Sequence, residues 1–158
     1  VVQDSCEVPG DFHPRHCSSK KTYEYKILNR TFSLPTRRLD TYFQYGKLDV
    51  DKMQAAAEYL VGTHDFKSFC SANTSVETTV RKIYSLQVEK QGDVITIRVT
   101  GSGFLYNMVR IIAGTLIQAG RGELEPEKIR DILEARDRKA AGPTAPAHGL
   151  TMTGIDFL

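Results

Sequence analysis

The chain has 158 residues, of which 41% are hydrophobic and 25% charged, and this composition excludes a disordered or fibrous protein. Its net charge of +2 does not by itself identify a nucleic-acid-binding protein, so an RNA-binding surface would have to come from local clusters of charge. The length predicts one domain over residues 1–158.

Neither a membrane span nor a secreted protein is predicted. The longest apolar run, residues 108–117, contains an arginine and is shorter than the roughly 20 residues that cross a membrane. The first five residues lack the pattern of a signal peptide, and we expect them to be the middle of a strand in a longer chain. The sequence has three cysteines, Cys6, Cys17 and Cys70. Because their number is odd and no two of them form a C-x-x-C pair, a reducing, cytoplasmic location is favoured.

The first half of the chain predicts a strand, a helix and a hairpin. Apolar and polar residues alternate over residues 21–29, which is typical of a half-buried strand with Tyr23 on its apolar face. Asp49 or Asp51 is placed to cap a helix through residues 53–60, which Gly62 would end. Residues 79–90 and 94–100 read as two strands joined by a turn at residues 91–93.

The second half predicts two helices and a last strand. A mostly apolar helix is expected over residues 104–119, after the Gly101-Ser102-Gly103 break, and a second helix from Pro126 to about residue 136. A loop over residues 142–149 then leads into a short strand over residues 150–157. The irregular order and the hairpin predict an α+β fold, an antiparallel sheet with helices packed on one face.

Arg110 is the most informative residue of the long helix, because it interrupts an apolar segment. No acidic residue lies three or four positions from it, and burying an arginine without an anion costs roughly 3–5 kcal/mol. Its guanidinium therefore either reaches solvent at the edge of the core or binds an anion. The preceding Gly101-Ser102-Gly103 segment either shapes a turn or lets a ligand approach the backbone, and it matches no complete nucleotide-binding motif.

The segment from Phe12 to Tyr23, near the start of the chain, combines basic side chains with aromatic residues and two histidines. Cations contact phosphates and rings stack on bases, so this segment is either an RNA contact or a solvated basic loop. The candidate RNA-binding residues are His13, Arg15, Lys20 and Lys21. His13, His16 and Cys17 fit no usual zinc spacing, so a metal site is not expected.

Several of these segments together resemble the TruA family of tRNA pseudouridine synthases. The resemblance is carried in order by residues 11–15 with 21–25, then by residues 62–69, 103–110 and 144–150. The block that ends in Met108-Val109-Arg110 is the most specific. The blocks span nearly the whole chain, and the resemblance identifies it as the C-terminal portion of such an enzyme.

The resemblance implies isomerisation of uridine to pseudouridine in the anticodon stem-loop of tRNA, without a metal or organic cofactor, by a homodimeric enzyme. Tyr23 matches the active-site tyrosine that lies against the uracil and takes part in proton removal from carbon 5. Arg110 matches the arginine that pairs with the catalytic aspartate. An enzyme that reacts on a base must take that base out of the stack, which calls for a stacking ring and cations around the site.

The catalytic aspartate of the family belongs to a Gly-Arg-Thr-Asp-Ala-Gly motif that does not occur in this sequence. Asp65 lies in a different family block, expected to be structural at a helix end, and is not its substitute. We therefore predict that the chain alone is inactive. Two alternatives stay open: a noncatalytic RNA-binding module, and an unrelated α+β enzyme that uses His64 and Asp65 as an acid–base pair.

Overall fold

The computed structural model describes residue 2 and residues 4–14, 17–71 and 76–158. Within these ranges the chain forms, in order, β1 (Ser19–Asn29), β2 (Tyr42–Gln44), α1 (Val50–Glu58), β3 (Gly62–Asp65), β4 (Val80–Gln91), β5 (Val94–Gly101), α2 (Met108–Gly120), α3 (Lys128–Ala135) and β6 (Leu150–Phe157). Short 3-10 turns occur at Pro35–Arg37, Lys67–Phe69, Arg138–Ala140 and Ala147–Gly149. None of the helices in the described ranges has the length and apolarity needed to cross a membrane.

The six strands form one sheet in the order β2-β1-β5-β4-β3, and β6 also pairs with β1. Because β5 occupies one edge of β1, its other edge is shared by β6 along residues 19–25 and by β2 along residues 27–29. All pairs are antiparallel except β1–β2, which is parallel. The α+β fold class is confirmed; β2, β3 and the parallel pair were not predicted.

The two faces of the sheet differ in polarity. The helix-covered face carries Tyr25, Ile27, Ile95, Ile97 and Val99, all fully buried in one core with residues of α1 and α2. The opposite face carries charged side chains, and Arg98 and Lys26 lie 2.7 and 3.5 Å from carboxylate oxygens of Glu24. The hydrogen bond from Arg98 is the main cause that holds the pKa of Glu24 below its ordinary value. The helices thus leave a polar sheet face open.

The helix bounds differ from the predicted ones for local reasons. Asp49, and not Asp51, caps α1 by accepting a hydrogen bond from the Lys52 amide, and the helix ends at Glu58 rather than before Gly62. Gly62 instead begins β3 with a φ of 113°. α2 begins at Met108 and not at residue 104, because Asn107 has a left-handed backbone with a φ of 60°.

The loop over residues 142–149 packs directly against α2. The Gly142 amide donates to the Thr115 hydroxyl at 3.0 Å, and a Cβ on Gly114 would lie only 1.8 Å from the Pro143 carbonyl oxygen. Gly114 therefore allows the loop and the helix to approach backbone to backbone. This contact places residues 144–146 beside the first turn of α2.

We expect Gly114→Ala to lower the free energy of unfolding by about 1–3 kcal/mol or more, because the added methyl group overlaps the Pro143 carbonyl. Gly103→Ala is the matched control, since a Cβ there meets nothing within 4 Å. Its change should stay within about 0.5 kcal/mol. Urea unfolding of both variants tests this, and equal stabilities would contradict the close contact.

Candidate active site

Arg110 lies in the first turn of α2 and is half-buried. Its Nε donates to the Ala145 carbonyl at 2.7 Å, and its Nη1 donates to Oδ1 of Asn107 at 3.0 Å. The Ala145 amide donates in turn to the Arg110 carbonyl at 3.1 Å. In the helix expected over residues 104–119 Arg110 would lie near the middle, but α2 begins at Met108 and Arg110 lies in its first turn. The guanidinium is held in one position by backbone and amide oxygens.

Asn107 connects this arginine to a third segment of the chain. Its side-chain nitrogen donates to the Ser71 hydroxyl at 2.9 Å, while its oxygen accepts from Arg110. The Ser71 amide also donates to the Tyr106 carbonyl at 3.2 Å. The left-handed turn that starts α2 therefore also orients the guanidinium, a role that the sequence did not reveal because asparagine carries no charge.

Tyr25 is buried beside Arg110, and its place in the alternating pattern of β1 did not distinguish it as a site residue. Its hydroxyl donates to the Pro146 carbonyl at 2.7 Å, next to the carbonyl that accepts from Arg110. Burial raises the pKa of Tyr25 above its ordinary value, the nearby Tyr42 hydroxyl adds to the rise, and the charge of Arg110 acts in the opposite direction. Tyr25 is thus a neutral hydroxyl that fixes the loop.

Tyr23 lies two residues before Tyr25 on β1, so both side chains project from the same face of the strand. The Tyr23 ring is partly buried and meets the Phe104 ring edge to face, with 5.2 Å between centroids. Among the described residues, no hydrogen bond joins Tyr23 to Arg110 directly, and the connection runs through β1, Tyr25 and the loop.

No carboxylate of the described residues lies within ion-pairing distance of Arg110. A guanidinium at the first turn of a helix adds its charge to the positive end of the helix dipole, and both favour an anion. The arrangement can therefore bind and orient a carboxylate or a phosphate.

His64 and Asp65 are directed to separate structural partners. Nε2 of His64 lies 2.9 Å from the Val61 carbonyl, whereas Asp65 accepts from the Thr79 hydroxyl and forms an ion pair with Arg136 at 3.3 Å. Both residues belong to the edge strand β3, and Asp65 also accepts a hydrogen bond from the Lys67 amide at 3.1 Å, a structural contact at the start of the Lys67–Phe69 turn. An acid–base pair of these two residues has no support in this geometry.

The candidate RNA-binding residues that the structure describes have separate contacts. Nζ of Lys20 lies 5.4 Å from the centre of the Tyr84 ring, and Lys21 is half-buried on β1 beside Gly101 of β5. The His13 carbonyl accepts a hydrogen bond from the Cys17 amide at 3.0 Å. Arg15 lies outside the described residues, and so does His16, which was considered above as a metal ligand.

Comparison with known proteins agrees with the resemblance. A family model described as tRNA pseudouridine synthase matches residues 56–157. The chain is 52% identical to tRNA pseudouridine synthase A of Bacillus pumilus over 152 residues, which cover 96% of this chain and 61% of that protein. It is 51% identical to the protein of the same name from Brevibacillus brevis over 157 residues, covering 99% of this chain and 64% of that protein.

The protein of that name from Bacillus subtilis is 47% identical over 158 residues, covering 99% of this chain and 64% of that protein. The chain therefore spans less than two thirds of the length of these curated relatives. The family match covers most of the chain, including β1's partners β5 and β6 and the whole of α2. The chain belongs to the tRNA pseudouridine synthase family.

Proposed function

We propose that residues 1–158 are the C-terminal, RNA-binding and active-site-completing domain of an enzyme that isomerises uridine to pseudouridine in the anticodon stem-loop of tRNA. The observation that carries this proposal is the position of Arg110. Its guanidinium is fixed by Ala145 and Asn107, yet no acid among the described residues pairs with it. The tRNA pseudouridine synthase A relatives, which are longer, support the choice of reaction.

In the proposed reaction, Arg110 binds the carboxylate of an aspartate from another part of the enzyme and orients it toward the nucleoside. The carboxylate attacks or assists while the bond between the ribose carbon and N1 of uracil breaks. The uracil turns, its carbon 5 bonds to the same ribose carbon, the proton of carbon 5 leaves and N1 gains a proton. Substrate and product are isomers, so the atoms balance without a co-reactant.

Arg110 is suited to this role because its geometry is set before any ligand arrives. The hydrogen bonds from Nε and Nη1 define the plane of the guanidinium, and a planar, oriented fork aligns a carboxylate better than a mobile ammonium does. Prior orientation removes a reorganisation cost from the chemical step. Arg110 therefore acts as a positioning residue for the nucleophile.

Tyr23 is proposed to lie against the uracil and to take part in removal of the proton from carbon 5. Its ring is already held edge to face by Phe104, which limits its rotation. His13, Arg15, Lys20 and Lys21 are proposed to contact the tRNA backbone around the extruded nucleotide. The enzyme is proposed to act as a homodimer in the cytoplasm.

The runner-up proposal is a noncatalytic RNA-binding module. It would need no acid opposite Arg110, whereas the enzyme needs a Gly-Arg-Thr-Asp segment encoded upstream of residue 1. Sequencing the upstream reading frame separates the two proposals.

The 158-residue chain alone should release no tritium above background from tRNA labelled at carbon 5 of uridine, because its sequence lacks the nucleophile motif. The longer protein that contains the Gly-Arg-Thr-Asp segment is the positive control. Turnover by the isolated chain would refute the assignment of the nucleophile to another segment.

Arg110→Ala in the longer protein should lower kcat by about 100-fold or more, the scale of losing one oriented electrostatic group. The tRNA Kd should change less than about threefold, since the guanidinium orients the carboxylate instead of gripping the RNA backbone. Arg130→Ala, on the exposed side of α3, is the control and should alter neither constant. Equal losses in kcat and affinity would count against the positioning role.

Tyr23→Phe should reduce turnover by about 100-fold while leaving tRNA affinity nearly unchanged, because the ring stays and the proton-transferring hydroxyl is lost. Tyr106→Phe removes the same atom from a tyrosine that is 69% exposed and serves as the matched control. Single-turnover kinetics and binding measurements separate the two effects. Full activity of Tyr23→Phe would exclude a role for the hydroxyl.

A further inference from the structure

A second basic site lies on the segment between β1 and β2. The Pro35–Arg37 turn and its neighbours enclose a depression of about 330 Å³. Leu28 and Phe43 form part of its apolar lining, and Ser33 and Thr41 contribute hydroxyl groups. Its charged and titratable lining residues are Arg37, Arg38 and His148.

The two arginines of this depression are incompletely paired. Nε of Arg37 is buried and, within the described chain, makes no hydrogen bond, although an oxygen of Asp40 lies 3.5 Å away. Arg38 is exposed and forms no ion pair with any described residue. On the adjoining sheet face, Lys26 and Arg98 both lie within ion-pairing distance of Glu24. None of the described residues that line the depression is acidic, so its lining carries a net positive charge.

The backbone around the arginines is firmly placed. The Thr41 hydroxyl donates to the Arg37 carbonyl at 2.7 Å, and the Thr41 amide donates to the same oxygen at 3.1 Å. The Arg37 amide donates to the Leu34 carbonyl at 3.0 Å. The site is thus built on a closed turn, and not on an extended loop.

A short series of contacts joins the depression to the candidate active site. The His148 ring lies 6.3 Å from the Tyr42 ring, and Tyr42 pairs with Ile27 of β1, two residues after Tyr25. The Tyr25 hydroxyl binds the Pro146 carbonyl, two residues before His148. The depression and Arg110 therefore share one loop, because its His148 lines the depression and its Ala145 carbonyl accepts from Arg110.

We infer that this depression, called here the Arg37–Arg38 pocket, binds a backbone phosphate of the RNA next to the reacting nucleotide. Guanidinium and hydroxyl groups are the usual protein partners of phosphodiester oxygens, and two guanidiniums outweigh the single Asp40 carboxylate. The choice of RNA as the source of the phosphate rests on the proposed function. A phosphate held here would anchor the strand while its base turns.

The test is the salt dependence of tRNA binding by the 158-residue chain, measured by fluorescence anisotropy. Arg38→Ala should weaken binding about fivefold near 0.1 M salt and reduce the slope of log K against log salt by roughly 1. Arg37→Ala should do the same, with thermal unfolding used to verify its fold. Arg38→Lys keeps the charge and should keep the slope.

Arg130→Ala is the matched control, because Arg130 stacks on Tyr59 and belongs to α3, away from the β2 edge. An unchanged slope in Arg38→Ala, or an equal change in Arg130→Ala, would overturn the inference. The inference would also be overturned if the unaltered chain showed no salt-dependent binding of tRNA, or if a glutamate-rich peptide competed for the chain as strongly as RNA does. Failure of the proposed function would appear separately, as lack of tritium release by the longer protein.

Discussion

The reciprocal hydrogen bonds between Arg110 and Ala145 are the contact on which the candidate active site depends. They join the first turn of α2 to a loop 35 positions later in the chain, through the Arg110 side chain in one direction and its carbonyl in the other. The same loop accepts a hydrogen bond from Tyr25 through the Pro146 carbonyl. Two consecutive loop residues, 145 and 146, therefore bind the helix and the strand. Gly114 permits this approach because a side chain there would overlap Pro143.

This packing leaves an arginine whose guanidinium is hydrogen-bonded to uncharged groups and is paired with no carboxylate of the described residues. Carbonyl and amide oxygens satisfy two of its three nitrogens, which makes partial burial tolerable while most of the positive potential remains. The start of α2 adds the positive end of its dipole. The site is therefore organised before it receives an acid, which is what orientation of a catalytic carboxylate requires.

The distribution of charge matters more here than the net value of +2. On the open sheet face, Arg98 and Lys26 both form ion pairs with Glu24, whereas no acidic residue of the described chain lines the Arg37–Arg38 pocket. A chain with nearly balanced charge can therefore still offer local anion sites. The loop over residues 142–149 connects Arg110 with the Arg37–Arg38 pocket, because its Ala145 carbonyl accepts from Arg110 and its His148 lines the pocket.

The amino-acid sequence by itself determined the hairpin of β4 and β5, the strands β1 and β6 and a helix cap at Asp49 or Asp51, because alternation and capping are local properties. It also singled out Arg110 as an arginine without a local acid. Only the tertiary structure decided where α2 begins, how β2 pairs with β1, and that Tyr25, Asn107 and the residue 145–146 carbonyls surround Arg110. Backbone carbonyls are the same at every residue, so a partner formed by a distant loop leaves no signal in residue type or spacing.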